Sequence, residues 1–229
     1  MAALTSPESA APKQSGICLD QNPEGSCMKL LINTTSPYAR TARICLLEKG
    51  FDFEVQIVNP WADDPDLLKA NTAARVPALL LDDGRALTEC MLIAFWAEAE
   101  RPEPSLLQGD KAAASALAGV AMGVVEAAVH TMVGRVITSG ALTEPAFDSE
   151  PVGQRRRRSM ITGLERMDEM LGEMANEPIN LGLIISIVAL DYVHFRFPQA
   201  DWIPAVPRLD ALRAAHSARA SIADTVPRD

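Results

Sequence analysis

A small mixed α/β domain followed by an all-helical domain is the fold class this sequence predicts, and two observations predict it. From Met28 to about Arg101, segments of strand and helix character alternate, whereas beyond that point the pattern is helical almost to the end. The change falls at Arg101-Pro102-Glu103-Pro104-Ser105, a proline-interrupted stretch that continues neither a helix nor a central strand. A chain of 229 residues buries a substantial core in either one large or two small domains. We therefore expect an extension at 1–27, a first domain at 28–101, a linker at 102–110 and a helical domain at 111–229.

The elements follow in order. Residues 1–27 are rich in Ala, Ser, Pro, Gln and Gly, lack the basic head and apolar run of a signal peptide, and read as a disordered extension. Lys29-Leu30-Leu31-Ile32 is a short buried strand. Pro37 suits the first turn of a helix that runs through Ala42, Ile44, Leu46 and Leu47 to Gly50. Phe53, Val55 and Ile57 alternate with Glu54 and Gln56, which predicts a second strand. After a short helical loop, residues 78–81 and 85–87 flank Asp82-Asp83-Gly84, a hairpin signal. Cys90 to Glu100 then reads as a helix with Leu92, Ile93 and Trp96 on one face. Strand, helix, strand, helical loop, hairpin and helix are the order of a thioredoxin-like domain. Further helices are expected near 111–137, 153–174, 180–196 and 207–219.

Composition narrows the function. Hydrophobic residues make up 48% of the chain and charged ones 22%, which is ordinary for a soluble globular protein. A net charge of −9 argues against nucleic acid or an anionic membrane surface as partner. Cys18, Cys27, Cys45 and Cys90 show no C-x-x-C spacing, so free thiols in a reducing, cytoplasmic compartment are expected. His130, His194 and His216 are scattered and predict no metal site. The apolar stretch at 179–190 is shorter than the roughly 20 residues of a membrane span. The longer one at 112–133 carries Glu126 and His130 and reads as a soluble helix. Arg155-Arg156-Arg157-Arg158 reads as a solvated helix face, and Met160, Met167, Met170 and Met174 follow core spacing.

Three short motifs remain: Thr34-Thr35-Ser36-Pro37-Tyr38-Ala39-Arg40, Arg75-Val76-Pro77-Ala78-Leu79 and Leu87-Thr88-Glu89-Cys90. Taken locally, Ser36 is a helix N-cap, Arg75 a surface charge, Glu89 a favourable charge in a first helical turn and Cys90 a small buried hydrophobe. In this order and spacing, the chain from Met28 onward resembles the glutathione transferases, in particular a bacterial branch whose members open with a short strand and an S-P-Y-A-R type turn.

That resemblance implies roles. Ser36 stands where a Ser or Cys before the proline contacts the glutathione thiol, with Thr34, Thr35 and Tyr38 as competing hydroxyls. A hydroxyl at a helix N-terminus stabilises a thiolate by donating a hydrogen bond and by holding the sulfur near unpaired amides. Pro77 is expected to be cis, with Val76 offering its backbone to the cysteinyl part of glutathione and Arg75 facing a carboxylate. Glu89 takes the position of the acid that holds the γ-glutamyl ammonium, and Cys90 that of a Ser that helps to hold its carboxylate. The implied protein is a homodimeric transferase with glutathione as co-substrate, directing the thiol at an electrophilic, largely apolar small molecule. Conjugation, ether cleavage, dehalogenation, epoxide opening and isomerisation share that first step. Two departures, Cys90 and the Leu183 that stands where a capping acid would follow Asn180, keep open a non-catalytic binding or scaffold protein.

Overall fold

The structure, a computed structural model, describes residues 28–172 and 177–228. The expected extension at 1–27, with Cys18 and Cys27, lies outside the described residues, as does Met174. The first strand, β1, is Lys29–Ile32, followed by helix α1 at Pro37–Glu48. Strand β2 at Glu54–Ile57, the short helix α2 at Pro65–Ala70, strands β3 at Ala78–Leu80 and β4 at Ala86–Thr88, and helix α3 at Cys90–Glu100 complete the mixed layer. The sheet order is β2-β1-β3-β4, with β1 parallel to β2 and both remaining pairs antiparallel. This is a thioredoxin-like layer with helices packed on a four-stranded mixed sheet. Its core gathers Leu30, Leu31, Leu46, Leu67, Leu79 and Ile93. Each is fully buried, and such burial contributes about 1.5–3 kcal/mol per side chain.

The rest is helical. The long α4 spans Lys111–Ser139 and begins at Asp110, whose carboxylate accepts from the Ala112 and Ala113 amides. A 3₁₀ turn at Pro145–Ser149 leads into α5 at Pro151–Leu171, and then come α6 at Leu181–Arg196, α7 at Pro207–His216 and the four-residue α8 at Ala220–Ala223. By length and composition α4 is apolar enough to cross a membrane, but here its apolar side packs against α5 and α6, leaving Glu126 and His130 exposed. Helix α6 is the centre of this bundle and is buried from Leu181 through Val193. Its start is capped with no acid at position 183, because the Asn180 side chain accepts from the Leu183 amide at 3.1 Å.

The arginine run differs in part from the sequence expectation. Arg155 and Arg158 are exposed, but Arg156 and Arg157 are half-buried, and the Arg157 guanidinium lies 5.8 Å from the centre of the Trp202 ring. A guanidinium packs flat on an aromatic face, so this helix face is covered by the segment after α6 instead of being wholly solvated.

The proline-rich stretch at 101–105 is held firmly to the first layer. Lys49 is buried and donates to Glu98 at 2.8 Å and to the Pro104 carbonyl at 2.6 Å. Glu98 also accepts from the Ser105 hydroxyl and the Leu106 amide. Burial opposes ionisation of Glu98, but those hydrogen bonds, led by the Leu106 amide, outweigh it and hold its carboxyl below the usual range. Arg101 stacks on Phe51 at 4.1 Å. The Glu103–Pro104 peptide is cis, and no local pattern announces it.

Candidate functional site

Sheet register brings the three motifs together. Leu31 pairs with Ala78, and Ala78 pairs with Thr88, so the three strands share one row of residues. One end of the sheet therefore carries the loop after β1, the turn before β3 and the segment after β4. Ser36, Arg75, Val76, Pro77, Glu89 and Cys90 all stand at this end, although 53 positions separate the first from Glu89 (89 minus 36).

Ser36 is the N-cap of α1, with extended backbone and its hydroxyl oxygen accepting from the Ala39 amide at 3.2 Å. The cap uses an oxygen lone pair and leaves the hydroxyl hydrogen to be donated elsewhere. The neighbouring hydroxyls are placed differently. Thr35 donates its hydrogen to the Asn33 side chain at 2.7 Å. Thr34 and Ser36 line a narrow cleft together with Asp224, Thr225 and Val226 from the C-terminal segment. Tyr38 packs between the two hydrophobic cores. Burial, reinforced by Glu126 and then by Cys90, Tyr192 and Glu89, pushes its phenol far above the ordinary range, so it stays neutral.

The second and third motifs face each other. The Val76–Pro77 peptide is cis and Val76 is buried. Arg75 reaches across to Glu89, its guanidinium 2.6 Å from Oε1, and both side chains are more than half exposed. Glu89 sits at φ 65°, ψ 119°, in left-handed backbone space that a residue with a Cβ adopts at a cost of order 1–3 kcal/mol. It makes no side-chain cap to α3. Cys90 is 4% exposed, and burial, then the charge of Glu89, pushes its thiol up to about 12. The Met91 amide pulls in the other direction without reversing this. A thiol so placed stays protonated and is a weak donor, not a nucleophile. Among the described residues no group of His, Cys, Asp and Glu is arranged to hold a metal.

Two features escaped the sequence. Asn33 organises the loop before Ser36 by accepting from both the amide and the hydroxyl of Thr35, and its signal, an Asn two residues ahead of a Thr in a turn, was there to be read. Arg40 is nearly fully buried and donates to Asp191 at 2.7 Å and to the Thr225 hydroxyl at 3.3 Å. Nothing local marks that pairing.

A two-helix-mouth site at one end of a thioredoxin-like sheet, backed by a helical bundle, defines a class of protein, and comparison with known proteins agrees. Residues 35–100 match the glutathione S-transferase N-terminal domain family. The uncharacterized GST-like protein YibF of Escherichia coli K12 is 28% identical over 205 residues, covering 87% of this chain and 98% of that protein. The maleylacetoacetate isomerase of Pseudomonas aeruginosa is 30% identical over 202 residues, covering 83% of this chain and 93% of the isomerase. Among solved structures, a glutathione S-transferase of Methylobacterium radiotolerans in complex with glutathione sulfonate superposes with a TM-score of 0.78 at 33% identity, covering 88% of this chain and 95% of that one. The chain belongs to the glutathione S-transferase family.

Proposed function

We propose that the protein is a glutathione transferase in which Ser36 donates a hydrogen bond to the glutathione thiol and the thiolate attacks an electrophilic, largely apolar small molecule. The observation that carries this reading is the gathering of the α1 mouth, the Val76–Pro77 turn and the α3 mouth at one end of the sheet. An extended tripeptide laid along that end meets a donor for its sulfur, a free backbone edge for its middle residue and an anion-binding helix start for its γ-glutamyl carboxylate. Thr35 is already committed to Asn33, and Tyr38 is tucked against the helical bundle, which leaves Ser36 as the better placed hydroxyl and Thr34 as its nearest rival. The relative from Methylobacterium radiotolerans was solved with glutathione sulfonate, which supports the same class of ligand here.

Glu89 would receive the γ-glutamyl ammonium, sharing its carboxylate with Arg75, and the amides that open α3 would receive the carboxylate beside Cys90. Helix α4, with Glu126 and the region around Tyr38, would border the electrophile. In this reading the protein works as a cytoplasmic homodimer. An ordinary thiol has a pKa near 8.5 and is mostly protonated at neutral pH. A donor that is stronger toward the anion than toward the thiol lowers that value. Ultraviolet titration of the bound thiolate tests the reading directly. The wild type should hold the thiol of glutathione below its free pKa, and Ser36→Ala should raise it by about one unit while glutathione still binds. Calorimetry showing no glutathione binding to the wild type would instead favour the non-catalytic binding or scaffold protein.

A further inference from the structure

Helix α1 carries a device that the transferase reading does not use. Arg40 lies one turn beyond Ser36, and its amide donates to the Ser36 carbonyl at 3.0 Å, closing the first turn of the helix. Its side chain is 5% exposed and spreads over three acceptors from two distant parts of the chain. One terminal nitrogen meets Asp191 of α6 at 2.7 Å, Nε meets the Thr225 hydroxyl at 3.3 Å, and the other terminal nitrogen meets the Ile222 carbonyl at 3.5 Å. Asp191 is in turn held by Arg213 of α7, and Thr225 is tied to the Ser221 carbonyl at 2.7 Å. Further along α1, Glu48 accepts from Arg219 and Ser221 of the same C-terminal segment. The C-terminal segment is therefore fastened to both ends of α1, and its residues Asp224, Thr225 and Val226 line the same cleft as Thr34 and Ser36.

We propose that Arg40 is a positioning residue for the thiol site: by locking the C-terminal segment and α6 against α1, it fixes where Ser36 presents its hydroxyl. The part of the proposal that concerns the thiol rests on the Ser36 reading above. The three acceptors are met by three different guanidinium nitrogens, positions that the single nitrogen of lysine cannot occupy together, so lysine, though it keeps the charge, cannot reproduce the clamp. Nothing about stability alone requires the clamp to sit one turn below the site. A buried ion pair is weak evidence of net stabilisation, and its best use is to fix one geometry among several. A hydrogen-bond donor misplaced by about 1 Å costs far more in rate than in affinity, because only the alignment with the sulfur changes.

The test uses Arg40→Lys and Thr225→Val, with Ser36→Ala run beside them. Three quantities are measured at a temperature where every variant is folded: the pKa of bound glutathione, the split between kcat and KM with an activated aryl halide, and amide hydrogen exchange along α1 and α3. Both clamp variants should raise the bound-thiol pKa by about half a unit and lower kcat by up to about tenfold, leaving KM for glutathione within about twofold. Exchange should quicken at the Ala39 and Arg40 amides while the start of α3 stays protected. If pKa, kcat and the α1 amides all match the wild type, Arg40 does not position the site. A uniform rise in exchange over α1 and α3 with an unchanged bound-thiol pKa also overturns the proposal, since that is the signature of lost stability alone. Failure of the Ser36 reading looks different: Ser36→Ala would leave the thiol pKa unmoved, or wild type would bind no glutathione. In either case the exchange pattern at Ala39 still decides whether Arg40 holds the α1 mouth.

Discussion

The mouths of α1 and α3 open on the same end of the sheet and are built in opposite ways. At α1 the protein supplies its own cap: Ser36 accepts from the Ala39 amide, Asn33 organises the loop ahead of it, and buried Arg40 braces the turn from below. At α3 the residue in the cap position turns away. Glu89 holds a left-handed backbone, makes no cap, and gives its carboxylate to Arg75 at the surface. A helix end that leaves its N–H groups without a side-chain cap is ready to receive an anion, whereas a self-capped end is ready to present its capping group. The difference teaches that two neighbouring helix starts can be finished differently, and on the proposed function it becomes a division of labour in which α1 presents a fixed hydroxyl and α3 offers amides to the ligand.

The largest expected effect breaks the bracing of α1. Asp191→Ala leaves Arg40 buried without its carboxylate, and removing one partner of such a pair costs about 3–5 kcal/mol. Urea unfolding should show a loss of that size, and a loss below about 1 kcal/mol would mean that α1 is not braced there. At α3 the informative change is Cys90→Ser. A hydroxyl in place of a protonated thiol adds a hydrogen bond to a bound carboxylate worth about 1.5–3 kcal/mol, less what the thiol already supplied, so glutathione should bind about tenfold tighter for each 1.4 kcal/mol gained. Unchanged or weaker affinity in calorimetry would place the ligand elsewhere.

Glu89→Gly separates stability from binding at the same mouth. Glycine relieves the left-handed strain and adds flexibility to the unfolded chain, for a net gain of about 1 kcal/mol, while glutathione affinity falls with the lost carboxylate. Higher stability with undiminished binding would remove Glu89 from the site. The smallest effect belongs to Arg75→Ala. An exposed ion pair contributes little, so stability should change by less than about 1 kcal/mol. Glutathione affinity should move more than stability does, and the reverse order, read by calorimetry and thermal melting, would make Arg75 a structural residue only.

The elements of the first layer were legible because the forces that make them are local. A short apolar run drew β1, alternation drew β2, Ser36-Pro37 drew the start of α1, Asp82-Asp83-Gly84 drew the hairpin, and the helix at Cys90–Glu100 was found to the residue. Cap, turn and periodicity act within a few positions, and a sequence displays them. The 3₁₀ turn at Pro145–Ser149 and the four-residue α8 were missed, since neither is long enough to show a period. The expectation for residues 1–27 stands apart, outside the described residues.

The composition of the site was thus in the sequence, and its working state was not. Arg75 could be named, but packing alone decided that it meets Glu89; Cys90 could be named, but it is burial, with the charge of Glu89 beside it, that keeps its thiol protonated. Arg40 finds Asp191 and Thr225 across separations of 151 and 185 residues, and no local pattern announces a partner so far along the chain. Charge and hydrogen-bonding groups take their meaning from whatever the fold brings within a few ångströms, and from how much water it leaves beside them. The order of residues determined which groups were available at the end of the sheet, and the tertiary structure decided which of them are braced, which are strained and which stay open to a ligand.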